Sequence, residues 1–192
     1  ANLLESRVGL VVVNRRITRV SDLVLRKLID TAILELGTPP APFTFLVLGS
    51  EGREETTLAS DQDNAIIYAD GAPGDAAAVH AWFHALGVKV CGWLEEMGVA
   101  RCKGGMMASN PRWCASLSEW QSMFGRWISE PEPRELLAFQ VFFDFRPVFG
   151  DLSLADRLHG FITEKLAGEP PRCLHLARDA LNRSAPRLFG AA

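Results

Sequence analysis

The chain predicts an α/β (α+β) fold: a small mixed sheet over residues 38–115, flanked by helices on both sides. Two observations carry that prediction. "FTFLVLG" and "NAIIYAD" are short, continuously apolar and rich in β-branched or aromatic residues, which is the signature of buried strands. Both lie between long segments whose apolar residues recur at the three-to-four spacing of an amphipathic helix.

Taken in order, "ITRVSDLVLRKLIDTAILEL" predicts a helix with Ser21 and Asp22 as local capping candidates. It ends near Gly37, where "GTPPAP" breaks it. "FTFLVLG" is the first strand and "NAIIYAD" the second, closed by the turn "DGAPGD". "AAAVHAWFHALGVKVCGWLEEMG" is a long helix, in which Gly87 and Gly92 each cost about 1 kcal/mol relative to alanine. "VARCKGGMMAS" is expected to be a third strand. From Ser116 onward helices are expected: "SLSEWQSMFGRWI", "PRELLAFQVFFDF", "LADRLHGFITEKL" and "RCLHLARDALNR", punctuated by Pro131, Pro133, Pro147, Pro170 and Pro171. The organisation expected is an N-terminal helical segment (1–37), an α/β core (38–115) and a helical extension (116–192).

A length of 192 residues allows one good core, or a domain with an appended bundle. With 48% apolar and 22% charged residues the composition is that of a globular protein. A net charge of −3 argues against a non-specific nucleic-acid binder, which needs a basic surface. Cys91, Cys102, Cys114 and Cys173 form no CxxC pair and are expected to be reduced, in a cytoplasmic protein. No apolar run reaches the roughly 18 residues of a membrane span, so none is expected, and the opening residues lack the pattern of a secretory signal, so secretion is not expected. The opening "ANLLESRVGLVVVNRRITRV" reads as a start in mid-protein, so the chain is expected to be part of something longer.

The chemistry concentrates in "LGSEGREETTLASDQDNAIIY", residues 48–68. Gly49 permits a tight turn and close backbone approach, and Ser50 adds a hydroxyl beside freed amides. A helix starting at "EGREE" would make an anion site there, with Arg53 at hand for a charge-assisted contact. Ten residues separate Ser50 from "DQD". Strand alternation puts Asp61 and Asp63 on one face, with Gln62 and Asn64 on the other. Two carboxylates about 6–7 Å apart repel unless a cation lies between them, and hard oxygen ligands of this kind suit Mg²⁺ or Mn²⁺ together with substrate phosphates. A phosphate cradle and metal ligands at one strand edge are the layout for metal-assisted nucleotidyl or phosphoryl transfer. By themselves Glu51, Glu54 and Glu55 read as a solvated helix face.

This stretch resembles the signature of nucleotidyltransferases of the polymerase-β superfamily. GS-x-GR-x-E with SDxD is most similar to the uridylyltransferase of protein PII and the adenylyltransferase of glutamine synthetase. Downstream, "CKGGMMASNPRW…SLSEW", "RWI" and "FFDFRPVFGD" resemble the nucleotidyltransferase domain that bacteria attach to CBS or cyclic-nucleotide-binding regulatory domains. The resemblance implies an NTP substrate held by Gly49, Ser50, Gly52 and Arg53, and Mg²⁺ held by Asp61 and Asp63. Ser60 and Asn64 would shape the metal loop. It also implies a protein acceptor such as a regulatory tyrosine. The superfamily's third carboxylate, which activates the attacking hydroxyl, lies on a later strand, where "VARCKGG" offers Arg101, Cys102 and Lys103 instead. Glu54, Glu55 and Asp144 are the remaining accessory carboxylates, and Asp144 with Arg146 reads more readily as a structural or substrate-side pair. That gap leaves a rival from another class: a nucleotide-sensing module without turnover. A helical dimerisation module, carried by the amphipathic ends, is a third.

Lesser candidates have plainer explanations. His80 and His84 have the i, i+4 spacing of a zincin pair but lack its glutamate, so they read as packing or surface histidines. Trp93, Trp113, Trp120 and Trp127 fall at mostly helical spacing and read as core. Arg101, Lys103 and Arg112 flank a "GG" turn and read equally as a small phosphate-binding patch or a solvated strand end.

Overall fold

The computed structural model of the protein describes residues 9–72, 74–130 and 141–168. Helix α1 (Leu10–Leu36) runs 27 residues to Gly37, whose φ of 87° ends it. It begins well before Ser21 and Asp22, so those two lie in its interior and are not caps. Strand β1 (Phe43–Val47) follows with every residue buried, then a single helical turn, α2 (Gly49–Gly52). Strand β2 (Asn64–Tyr68) is likewise fully buried. Helix α3 (Ala76–Glu96) starts at Asp75, whose side chain accepts from the Ala77 amide. A 3₁₀ turn at Pro111–Trp113 leads to β3 (Cys114–Ser116) and α4 (Leu117–Ser129), which opens on a capping box between Ser116 and Glu119. Strand β4 (Arg146–Gly150) and helix α5 (Ser153–Gly168) complete the described residues.

The four strands form one mixed sheet in the order β3-β2-β1-β4. β1 is antiparallel to β2 and to β4, and β2 is parallel to β3. Alternate strand residues feed two cores. Phe43, Phe45, Val47, Ile66 and Tyr68 pack under α1 and α3, with Leu25, Ile29, Phe83 and Leu86. Leu46, Leu48, Ala65 and Ile67 face the other way, against Trp113, Trp120, Trp127 and Phe142 and the apolar faces of α4 and α5. A sheet covered on both faces needs continuously apolar strands, which is why β1 and β2 show no polar alternation. Three of the four tryptophans expected in the core are there, and Trp93 is half-buried against the other cluster.

Two expectations are corrected. "VARCKGGMMAS" is not a strand: it makes one isolated parallel bridge, Arg101 to Gln62, and then turns away at Gly104–Gly105. The strand on that side of β2 is β3, thirteen residues after Arg101. The segment after Ser116 is not purely helical either, because Arg146–Gly150 is a strand paired with β1. "PRELLAFQVFFDF" is described only from Val141, with residues 141–143 helical, and "RCLHLARDALNR" lies outside the described residues.

The two glycines of α3 have different roles. A Cβ on Gly87 would sit 2.2 Å from the Ala108 carbonyl oxygen, so Gly87 lets the helix press against the chain at 106–108. A Cβ on Gly92 would meet nothing within 4 Å. Gly92→Ala is therefore expected to stabilise the protein by about 0.5–1 kcal/mol, read as a rise of roughly 2–3 °C in the thermal midpoint. A fall in the midpoint would show that Gly92 has a packing role.

Candidate active site

The β1–β2 ladder brings the two halves of the polar stretch together. Val47 pairs with Asn64, and one step further the Leu48 amide donates to the Asp63 carbonyl at 3.0 Å. The chain then enters α2 through Gly49, at φ 54°, where a Cβ would lie 3.6 Å from Asp63 Oδ2. The GS turn therefore lies directly against the Asp63 carboxylate. The first intrahelical bonds of α2 run from the Glu51 and Gly52 amides to the Leu48 carbonyl. The Gly49 and Ser50 amides precede them, and no intrahelical acceptor is within their reach. Gly52 touches the backbone beyond: its Cβ position is 2.0 Å from the Asp144 carbonyl oxygen.

The alternation expected of "DQDN" is present. Gln62 and Asn64 are buried, Asp61 is exposed and Asp63 is half-buried. Gln62 donates to the Cys91 and Val99 carbonyls, and Asn64 Oδ1 accepts from the Ala108 amide at 2.8 Å and from the Cys91 thiol. These inward amides hold the loop that carries the outward carboxylates. Ser60 closes the tip of that loop, with its Oγ accepting from the Thr57 amide.

Burial and the neighbouring Asp61 charge raise the Asp63 pKa, opposed by a hydrogen bond from the Cys102 thiol. Asp63 Oδ1 is buried without a hydrogen-bond partner. A carboxylate oxygen so placed suits a hard divalent cation. Among the described residues no group of three or more His, Cys, Asp or Glu side chains is placed to hold a metal ion. The chain supplies Asp61 and Asp63, a donor set that suits Mg²⁺ or Mn²⁺ when phosphates and water complete the shell.

The accessory carboxylates go elsewhere. Arg53 pairs with Asp144 at 2.6 Å and with Glu55 at 2.9 Å, and Glu54 lies 3.6 Å from Arg15. Asp144 and Arg146 do not pair with each other. Arg146 forks onto Asp22 of α1, with both bonds at 2.9 Å, and also donates to the Glu51 carbonyl. Thr18 of α1 bonds Thr56, and Arg26 Nε donates to the Val148 carbonyl. Helix α1 thus clamps α2, the loop and β4 together. Lys103 is exposed, beside the Gly104–Gly105 turn.

Two residues of the site carry no sequence signal of their own. Cys102 meets Asp63 because the Arg101–Gln62 bridge aligns the next residue of each segment, and burial with the Asp63 contact raises its thiol pKa. Glu51 differs from its neighbours Glu54 and Glu55, which are exposed, in being half-buried. Burial, then Asp22, raises its carboxyl from an ordinary 4.5 to about 7, against the pull of Arg146. The folded protein then holds a proton that the unfolded chain releases. Stability from this group is full below about pH 4.5 and is lost as pH rises through about 7, by roughly 3 kcal/mol at most. Glu51→Gln is expected to remove most of that loss. Urea midpoints of variant and parent should agree near pH 4 and separate by about 1–3 kcal/mol near pH 8, with the variant the more stable. Parallel profiles would show that Glu51 titrates normally.

His84 Nε2 meets the Ser109 carbonyl and His80 meets Tyr68, so both histidines serve packing. Cys91, Cys102 and Cys114 are free, and Cys173 lies outside the described residues. Among the described residues no helix is long and apolar enough to cross a membrane.

Residues 1–134 of the 192 match the model of a family described as "Putative nucleotidyltransferase DUF294". No curated protein matches the chain, and no solved structure does.

Proposed function

The chain belongs to the DUF294 nucleotidyltransferase family, and from that premise we propose that it transfers a nucleoside monophosphate from an NTP to an acceptor hydroxyl. The bond between the α and β phosphates breaks, a new phosphoester forms at the acceptor oxygen, and pyrophosphate leaves. The observation that carries this reading is the contact of the GS turn with the Asp63 carboxylate. It brings the start of a helical turn and a carboxylate with a partnerless oxygen to one strand edge, which supports a site for a phosphate and a cation. Gly49 and Ser50 would bind the phosphates through amides and a hydroxyl. Arg53 is held at the rim by Asp144 and Glu55, ready for a charge-assisted contact with the leaving phosphates. Asp61 and Asp63 would hold Mg²⁺ or Mn²⁺, which would neutralise charge on the transferring phosphorus and align the nucleophile. A protein side chain is the acceptor proposed, with a CBS or cyclic-nucleotide-binding domain as regulatory partner. That step rests on family analogy.

One observation favours a second reading. The side chain against Asp63 is a thiol, while Asp144 and Glu55 are engaged by Arg53. A nucleotide sensor needs no further carboxylate. Titration calorimetry of each NTP with Mn²⁺, paired with a pyrophosphate-release assay that supplies candidate acceptor proteins, separates the two. Metal-dependent binding with release supports the transferase, and saturable binding without release supports the sensor. Absence of binding for all four NTPs would sink both.

A further inference from the structure

Helix α1 keeps Thr18, Leu25, Ile29 and Ala32 buried on one side and exposes a second stripe on the other. That stripe is not the charged face of a merely solvated helix. It carries Val12, Val20, Leu23 and Leu34, with Leu23 65% and Leu34 82% exposed. Arg16 and Asp30 stand between them, both exposed, and neither makes a side-chain hydrogen bond or ion pair among the described residues. We infer that this face of α1 binds the same face of a second copy of the chain, antiparallel, with Leu23 on the two-fold axis. The inference is independent of the nucleotide reading.

Spacing carries the geometry. Positions 12, 16, 19, 23, 27, 30 and 34 are separated by 4, 3, 4, 4, 3 and 4 residues. That period is close to the 3.6 residues of a straight helical turn, so the positions form one line about 33 Å long. The spacings read the same in both directions from Leu23. A two-fold axis there pairs residues that lie equally far from Leu23 on either side. Val12 then meets Leu34, Arg16 meets Asp30, and Leu23 meets its own copy.

Charge selects both the partner and the direction. In the antiparallel pair each Arg16 faces an Asp30, once on either side of the Leu23 contact, and apolar pairs close both ends. A parallel pair would set Arg16 against Arg16 and Asp30 against Asp30, like charges at both places. One like-charge contact remains in the antiparallel pair, Arg19 against Lys27. Their long stems can carry the two charges to the edge of the seam. A seam of about seven residues a side is far smaller than the roughly 20–30 of a standard interface, so the dimer is a weak one, with a Kd of about 10–100 μM.

Sedimentation equilibrium of the chain between about 1 μM and about 1 mM tests this, and the average mass should climb from one chain toward two. Arg16→Asp and Asp30→Arg should each weaken association by at least about tenfold. The double variant, which exchanges the two charges, should return to within about threefold of the parent. Lys27→Glu places opposite charges across from each other at Arg19 and should tighten association by about threefold or more. Arg16, Lys27 and Asp30 are exposed, so thermal midpoints of the dilute variants should match the parent and show that each is folded. A chain that stays monomeric throughout would overturn the inference. So would a dimer indifferent to the single changes, or one that the double change fails to restore. A Lys27→Glu chain that associates no better than the parent would overturn the register centred on Leu23.

Discussion

Asp63→Asn is expected to lower pyrophosphate release by at least about a thousandfold, roughly 4 kcal/mol of transition-state stabilisation. The same change should leave the metal-free protein as stable as the parent, or slightly more so. The two halves of this prediction have one cause. Asp63 is half-buried, lies near the Asp61 charge, and keeps Oδ1 buried without a partner. Without a cation its ionised form is penalised, which is why its pKa is raised. Asparagine removes the penalised charge at nearly constant shape, and with it the only reason to tolerate that charge. A structural aspartate behaves in the opposite way, losing stability when neutralised. Asp61→Asn should match the loss of turnover but leave stability unchanged, because Asp61 is exposed. Release assays and thermal midpoints in chelator check both variants. Retained turnover in Asp63→Asn would remove this carboxylate from the metal site, and lost turnover with a depressed midpoint would make its role structural.

That coupling was partly legible in the chain itself. The strands β1 and β2 are continuously apolar because helices cover both faces, so their burial could be read from composition alone. The inward and outward sides of "DQDN" followed from the two-residue period of extended chain. The remaining strands left no such trace. β3 is three residues, too short for a pattern, and β4 contains Pro147, which reads as a breaker. Pro147 is tolerated because β4 is the edge strand of the sheet among the described residues, paired there with β1 alone. Glu51 could not be told from Glu54 and Glu55 because its raised pKa comes from partial burial and from charges distant in sequence, Asp22 twenty-nine residues earlier and Arg146 ninety-five residues later. In the sequence Cys102 was only one of three residues, with Arg101 and Lys103, standing where a carboxylate was sought. Its contact with Asp63 depends on a single bridge with no periodicity to betray it. Local rules therefore reached the elements and the outward carboxylates, and missed what long-range contacts decide.

Gly52→Ala is expected to destabilise the fold by about 3 kcal/mol or more, the upper range for overpacking. The added methyl would lie 2.0 Å from the Asp144 carbonyl oxygen and 2.9 Å from its carbon. Those are backbone atoms at the entrance to β4, and they cannot rotate aside as a side chain could. To relieve the clash, α2 and the start of β4 must separate. The Arg53–Asp144 pair at 2.6 Å and the Arg146 contact with the Glu51 carbonyl span that same seam. Turnover should therefore fall together with stability, through loss of the turn's position against Asp63. Two controls isolate the cause. Asp144→Asn weakens the ion pair while leaving the backbone in place, and its half-exposed partners make the cost no more than about 1 kcal/mol. Gly49→Ala meets no atom closer than 3.6 Å but forces alanine to φ 54°, a conformational cost of about 1–2 kcal/mol. Urea denaturation of the three variants should rank Gly52→Ala well below the other two. If Asp144→Asn proved as damaging as Gly52→Ala, the ion pair and not the backbone approach would hold the GS turn in place.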